Sequence, residues 1–251
     1  VLRALLTGAQ TVLGGHFVGM YLYGSLASGG FDQHRSDVDF VVVTADALPE
    51  DMVPALEAMH TRLATSGLKW APKLEGAYVP QRVLRRHDSS AAPCPTLNEG
   101  CFYVAPLGSD WVIQRHILRE HGAVLAGPSP QDLIDPVPPD ELQRAVQAVL
   151  HEWWLPILQE RGIWLYRSEY QAYAVLTMCR ALHTLQHGSI VSKPAAARWA
   201  QSALGEPWAE LIERALTWQP DSEPGNLDQT LDFIRYTLEH SQHPDDPNGK
   251  T

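Results

Sequence analysis

A chain of 251 residues, 45% apolar and 19% charged, can bury one large core or two modest ones and has the makeup of an ordinary soluble globular protein. Its formal net charge of −10, with no run of lysines or arginines to build a basic groove, disfavours a nucleic-acid partner and favours a cationic small molecule. No apolar run reaches the length that spans a bilayer, the first residues lack a signal-peptide pattern, and the cysteines Cys94, Cys101 and Cys179 are odd in number and unevenly spaced. The expectations are no membrane, reduced thiols and a cytoplasmic location.

In chain order, "VLRALLTGAQTVL" has helical apolar spacing and stops at Gly14-Gly15. "FVGMYLYG" reads as a strand, "SLASGGFDQHRS" as a turn-rich connection kept small by Ser28, Gly29 and Gly30, and "DVDFVVVT" as a second strand. "DALPEDMVPALEAMHTRLATSG" is expected as a helix stopped by Gly67, and "KLEGAYVP" as a strand with Leu74 and Gly76 on one face and Glu75 and Ala77 on the other. "DSSAAPCPTLNEG" reads as loop, and "GSDWVIQRHILREHG" as a helix ending at Gly122. The proline-rich "GPSPQDLIDPVPP", residues 127–139, is the expected linker. Beyond it five segments have helical spacing, and the tail "QHPDDPNGKT" is expected to fray. The fold class is therefore an α/β N-terminal domain, residues 1–139, followed by an all-α C-terminal domain, residues 140–251.

Chemistry concentrates in "YGSLASGGFDQHRSDVDFVVV". Asp37 and Asp39 stand two apart at a strand start, so both carboxylates project to one face while Val38 and Phe40 face the core. Two carboxylates held this close repel unless a cation neutralises them, and hard oxygen ligands suit Mg2+ with substrate phosphates. Glu75 adds a third carboxylate if its strand lies alongside. Gly24 lets the backbone approach a bulky anion, and the Ser25 hydroxyl can hold phosphate oxygens. No Gly-Lys-Ser/Thr follows, so the stretch is not a P-loop. A lone Asp-x-Asp is as often a strand cap or solvated turn; the combination with Gly-Ser is what gives it meaning.

That combination resembles the signature of the polymerase-β-like nucleotidyltransferases. "LTMCRALHTLQHGSIVSKPAAARWA" and "LREHGAVLAGPSPQDLIDPVP" further resemble the helical domain and the joining segment of the aminoglycoside adenylyltransferases, the streptomycin/spectinomycin group. The resemblance implies a mixed sheet with flanking helices plus a helical bundle. It also implies transfer of AMP from ATP to a hydroxyl of an aminoglycoside or aminocyclitol, releasing pyrophosphate and conferring antibiotic resistance. Under it Asp37 and Asp39 hold Mg2+, Gly24, Ser25 and Ser36 meet the phosphates, and Glu75 is the general base or a further metal ligand. Arg180, Lys193 and Tyr236 match positions that reach ATP. An acidic site facing a triphosphate needs such cations in any case, although from spacing alone Arg180 reads equally as surface charge and Tyr236 as core. Trp153, beside Trp154, aligns with an acceptor-contacting tryptophan, with Glu169 or Glu160 as its acidic companion; two core tryptophans are the other reading. The partners implied are ATP and a cationic acceptor, and a monomer is expected. A protein, an RNA end or another small-molecule hydroxyl remains an alternative acceptor, and a nucleotide-binding module without turnover an alternative role.

The eleven histidines form no standard zinc spacing. His183 and His187, four apart, could ligate a metal but fit a helix C-terminus as well. Cys94 and Cys101 lack the companions of a thiol nucleophile.

Overall fold

The computed structural model describes every residue except 28–30, 32, 34–35, 161–162, 223–224 and 243–251. Ser28, Gly29 and Gly30 of the expected small-residue connection lie outside the described residues, as does the tail from residue 243. Two compact units divide the chain, Val1–Val137 and Pro138–Thr251.

The first unit begins with helix α1, Leu2–Leu13, which buries Leu5, Ala9 and Leu13 at intervals of four, one apolar stripe of an amphipathic helix. Strand β1, Phe17–Leu22, leads through the short helix α2, Gly24–Ala27, to β2, Val38–Thr44. Helix α3, Met52–Ala64, and a 3₁₀ turn, Ala71–Lys73, precede β3, Leu74–Pro80, and the short α4, Gln81–Arg85. Then come β4, Cys94–Asn98, β5, Cys101–Ala105, α5, Asp110–His121, β6, Ala123–Ala126, and the one-turn α6, Pro130–Leu133.

These strands form a six-stranded mixed sheet in the order β5-β4-β3-β2-β1-β6. Only β2 and β3 run parallel; the other four pairings are antiparallel. On one face Val38, Phe40, Val42, Leu74 and Tyr78 pack with Leu5 and Leu13 of α1 and Leu56, Met59 and Leu63 of α3. Period-two alternation fixes what the other face receives. The residues between these core positions, Asp39 and Glu75 among them, point away from α1 and α3.

Three local expectations are corrected. Helix α3 covers only Met52–Ala64, with Thr65 as its cap; Gly67, three residues past its end, is not the stop. Residues 88–100 are not all loop, because Cys94–Asn98 pairs with both β3 and β5. The turn between β4 and β5 places Glu99 at φ 48° and Gly100 at φ 76°, the two positive angles that a tight hairpin favours. Pro95 is tolerated in the strand because the ladder to β3 uses Thr96 and Leu97 only. The proline-rich segment 127–139 is not a free linker either. It buries Leu133, Ile134 and Val137, and Asp135 accepts hydrogen bonds from Arg85 Nη1 at 3.0 Å and Arg86 Nε at 2.6 Å.

The second unit is helical: α7, Pro139–Val149, a π-helical turn, Leu150–Trp154, α8, Leu155–Glu160, a 3₁₀ turn, Ile163–Tyr166, α9, Ser168–His187, α10, Lys193–Leu204, α11, Trp208–Thr217, and α12, Leu227–Ser241. Helix α9 packs against α7, α10, α11 and α12, and its Val175, Met178, Cys179, Leu182 and Leu185 are buried. The starts of α10 and α12 are capped by side chains: Ser192 Oγ accepts from the Ala195 N–H at 3.3 Å, and Asn226 Oδ1 from the Asp228 N–H at 2.9 Å. No helix among the described residues is long and apolar enough to cross a membrane.

Candidate active site

The parallel register of β2 and β3 sets Asp39 directly opposite Glu75, with Val38 opposite Leu74 and Phe40 opposite Gly76. Asp37 stands one residue before β2, two positions from Asp39. Its Oδ1 accepts a hydrogen bond from Lys73 Nζ at 3.1 Å, and Lys73 in turn stands one residue before β3. Three carboxylates and one ammonium thus meet at the mouth of the two parallel strands.

The backbone around Asp39 is shaped to this purpose. Tyr23 N–H donates to the Asp39 carbonyl at 3.2 Å, tying the chain after β1 to β2. Gly24 follows with φ 65°, and a Cβ added there would lie 2.0 Å from Asp39 Oδ2. Glycine is therefore required twice at this position, for the left-handed backbone and for the carboxylate that packs onto it. Ser25 sits in α2, half-buried, and Ser36 directly precedes Asp37.

Crowding of like charges shows in the electrostatics. Burial first, then the Asp37 and Asp39 charges, push the Glu75 carboxyl up to about 7, against a smaller lowering by a backbone hydrogen bond at Glu99. A carboxyl near neutrality can take a proton from a substrate at physiological pH and give it up again. Tyr23 is buried beside the same group, its phenol raised well above the usual range by burial and by Asp39, Asp110 and Glu75. Among the described residues no three His, Cys, Asp or Glu side chains close a cage around a metal on their own. Hard carboxylate oxygens on a crowded acidic face are nonetheless the donors Mg2+ takes, with the rest of its shell coming from phosphate oxygens and water.

The second-unit residues are placed less uniformly. Arg180 lies on α9 and Lys193 is the first residue of α10, which packs against α9. Lys193 Nζ stands 4.0 Å over the Tyr173 ring. Tyr236, on α12, lies in an aromatic group with Trp208 and His240, at ring centroid distances of 5.3 and 3.8 Å. Trp153 and Trp154 part company: Trp153 is 62% exposed, whereas Trp154 is buried, edge-on to Trp164 and stacked on Tyr173. The core reading therefore holds for Trp154 and not for Trp153. Glu169, in the first turn of α9, pairs with Arg167. His183 and His187 lie with ring centroids 4.6 Å apart, both edge-on to Trp199.

Lys73, Tyr23 and Asp110 are site residues that sequence reading missed. Lys73 precedes Glu75 by the interval that separates Asp37 from Asp39, and that repeated spacing was the available signal. Asp110 carried none, since only the fold brings the start of α5 to this group.

The family described as "Aminoglycoside adenylyltransferase, C-terminal domain" matches residues 132–240. An aminoglycoside (3'') (9) adenylyltransferase of Klebsiella pneumoniae is 28% identical over 236 residues, 86% of this chain and 84% of the relative. A spectinomycin 9-adenylyltransferase of Staphylococcus aureus is 26% identical over 220 residues, 82% and 79% of the two chains. The fold matches the crystal structure of the spectinomycin adenyltransferase AAD(9) from Enterococcus faecialis with ATP and spectinomycin. The TM-score is 0.75 at 18% identity, over 95% of this chain and 98% of that one. Residues 132–240 thus match the C-terminal domain of the aminoglycoside adenylyltransferases, and over most of its length the chain is similar to enzymes of that name.

Proposed function

We propose that this chain transfers AMP from Mg-ATP to a hydroxyl of an aminoglycoside or aminocyclitol, releasing pyrophosphate and so conferring resistance to the antibiotic. The observation that carries the reading is the opposition of Asp39 and Glu75 across two parallel strands, with Gly24 packed onto the Asp39 carboxylate. The relatives act on this class of acceptor by name, and the structural neighbour holds ATP and spectinomycin.

Asp37 and Asp39 would hold Mg2+. When bound there, the ion would offset the triphosphate's charge and make the α-phosphorus more electrophilic. Gly24 keeps the backbone low enough for phosphates to approach, and the hydroxyls of Ser25 and Ser36 are the phosphate donors on this side. Glu75 takes the proton of the acceptor hydroxyl as its oxygen bonds to the α-phosphorus. The bond from that phosphorus to the bridging oxygen breaks, and pyrophosphate leaves with its electron pair. Burial raises the Glu75 carboxyl, and its acidic neighbours raise it further while no cation offsets their charge.

Arg180 and Lys193 supply positive charge to the nucleotide, and Tyr236 a phenol. Trp153 and Glu169 offer the acceptor an exposed aromatic face and a carboxylate, groups that suit an amino sugar. The net charge of −10 favours encounter with a polycation. The test is pyrophosphate release from Mg-ATP with streptomycin, spectinomycin and a deoxystreptamine aminoglycoside. Release with at least one of them is expected; ATP binding without release on any of them would overturn the acceptor class.

A further inference from the structure

The ion pair between Lys73 and Asp37 adjoins the acidic face at the starting ends of its two parallel strands. Asp37 precedes β2 by one residue and Lys73 precedes β3 by one, at the end of the two strands whose next facing pairs are Val38 with Leu74 and Asp39 with Glu75. The ammonium therefore sits against one of the two carboxylates assigned to the metal, 3.1 Å from its Oδ1. Both side chains are partly open to water, Lys73 43% and Asp37 37% exposed, so the pair is of the weak, exchangeable kind. The 3₁₀ turn Ala71–Lys73 fixes the lysine's backbone, while four methylenes leave its ammonium free to swing.

An ammonium and a divalent cation cannot share one carboxylate oxygen without strong mutual repulsion. We propose that Lys73 is a resident counter-ion that competes with the metal for Asp37. It holds that carboxylate against the repulsion of Asp39 and Glu75, and it yields when a divalent ion arrives with the nucleotide's phosphates to repay the exchange. A bare metal ion lacks those phosphates and meets the lysine's full competition. Lys73 thus ties metal loading to nucleotide binding and acts as a positioning residue, outside the reacting atoms. This inference rests on the reading of Asp37 as a metal ligand.

The test titrates Mn2+ alone, without nucleotide, into the full chain and follows free ion by electron paramagnetic resonance. The proteins are wild type, Lys73→Met, Lys73→Arg and Asp37→Asn, each first checked for cooperative melting. Removing one positive charge about 3 Å from the binding oxygen should tighten Mn2+ by about three- to tenfold in Lys73→Met. Lys73→Arg, which keeps the charge, should stay within about twofold of wild type, and the difference should shrink when ATP is present. A lysine that only braces the fold would lower the melting temperature and leave the Mn2+ isotherm unmoved, and that result overturns the inference. Mn2+ binding that needs Asp37 yet ignores Lys73→Met defeats the inference alone. Binding that ignores Asp37→Asn, or its absence in every variant, defeats the metal assignment with it.

Discussion

Gly24 and Asp39 are fitted to one another: the glycine's missing side chain is the space that the Asp39 carboxylate fills, with Oδ2 only 2.0 Å from where a Cβ would stand. The start of α2 is thereby packed against the start of β2. Gly24→Ala must either displace that carboxylate or strain a backbone held at φ 65°. Its kcat is expected to fall by at least about a hundredfold, as for a misplaced catalytic group. Stability should fall by only about 1–3 kcal/mol. Steady-state kinetics beside urea unfolding of the same preparation checks both.

Glu75 gives a prediction with opposite signs for activity and stability. Glu75→Gln should spare ATP binding yet lower kcat by about two to four orders of magnitude, the usual worth of a general base. The fold raises this carboxyl from its ordinary range to about 7, so the folded chain holds the proton more tightly than the unfolded one. The group's contribution is full at low pH and is lost as pH rises from about 4.5 through about 7. The glutamine variant escapes that loss. With chelator present, its melting temperature should exceed that of wild type by about 2–4 °C at pH 8, after discounting for partial exposure, and by nothing at pH 4.5. Equal melting at both pH values would remove the electrostatic account.

His60 is a second titration, remote from the chemistry. Its Nε2 lies 2.8 Å from the Tyr78 hydroxyl in the core beneath the sheet, and burial lowers its pKa to about 4. A histidine kept neutral in the fold favours the folded state above its unfolded pKa of about 6.5, and that advantage drains as pH falls toward 4. The loss is about 3 kcal/mol over that window. His60→Gln should flatten the pH dependence of urea unfolding between 6.5 and 4; an unchanged slope would mean the loss lies elsewhere.

The cations assigned to the nucleotide can be separated from the chemistry. Arg180→Met and Lys193→Met should each raise KM for ATP by about ten- to a hundredfold, the worth of a charge-assisted hydrogen bond, with kcat less affected. Lys193 has a second contact to lose, its position 4.0 Å over Tyr173. Tyr173→Leu should reproduce part of the Lys193 effect if the ring steadies the ammonium. A KM for ATP unmoved by either cation would return both to the surface-charge reading.

Much of this was legible in the amino-acid order. "DVDFVVV" carried both the strand and the shared face of its aspartates, because a period of two leaves no alternative once Val38 and Phe40 must be buried. The helices of the second unit were legible from apolar spacing. What could not be read was register. That Glu75 faces Asp39 follows from a parallel pairing between segments more than thirty residues apart in sequence, fixed by the core beneath them. The β4–β5 hairpin was concealed by Pro95 and by the small polar residues before it, although "NEG" at its turn was a signal for positive φ. The buried part of segment 127–139 was masked by its five prolines, which mark turns without saying whether the turns are docked.

The central claim is that the paired aspartates serve AMP transfer to an antibiotic. The most direct measurement is pyrophosphate release from Mg-ATP by wild type and Asp39→Asn, with and without streptomycin or spectinomycin. The account predicts release that requires drug and wild-type Asp39 together, with Asp39→Asn folded yet slower by at least about a thousandfold. Near-normal release by Asp39→Asn, or release indifferent to any drug, would contradict it.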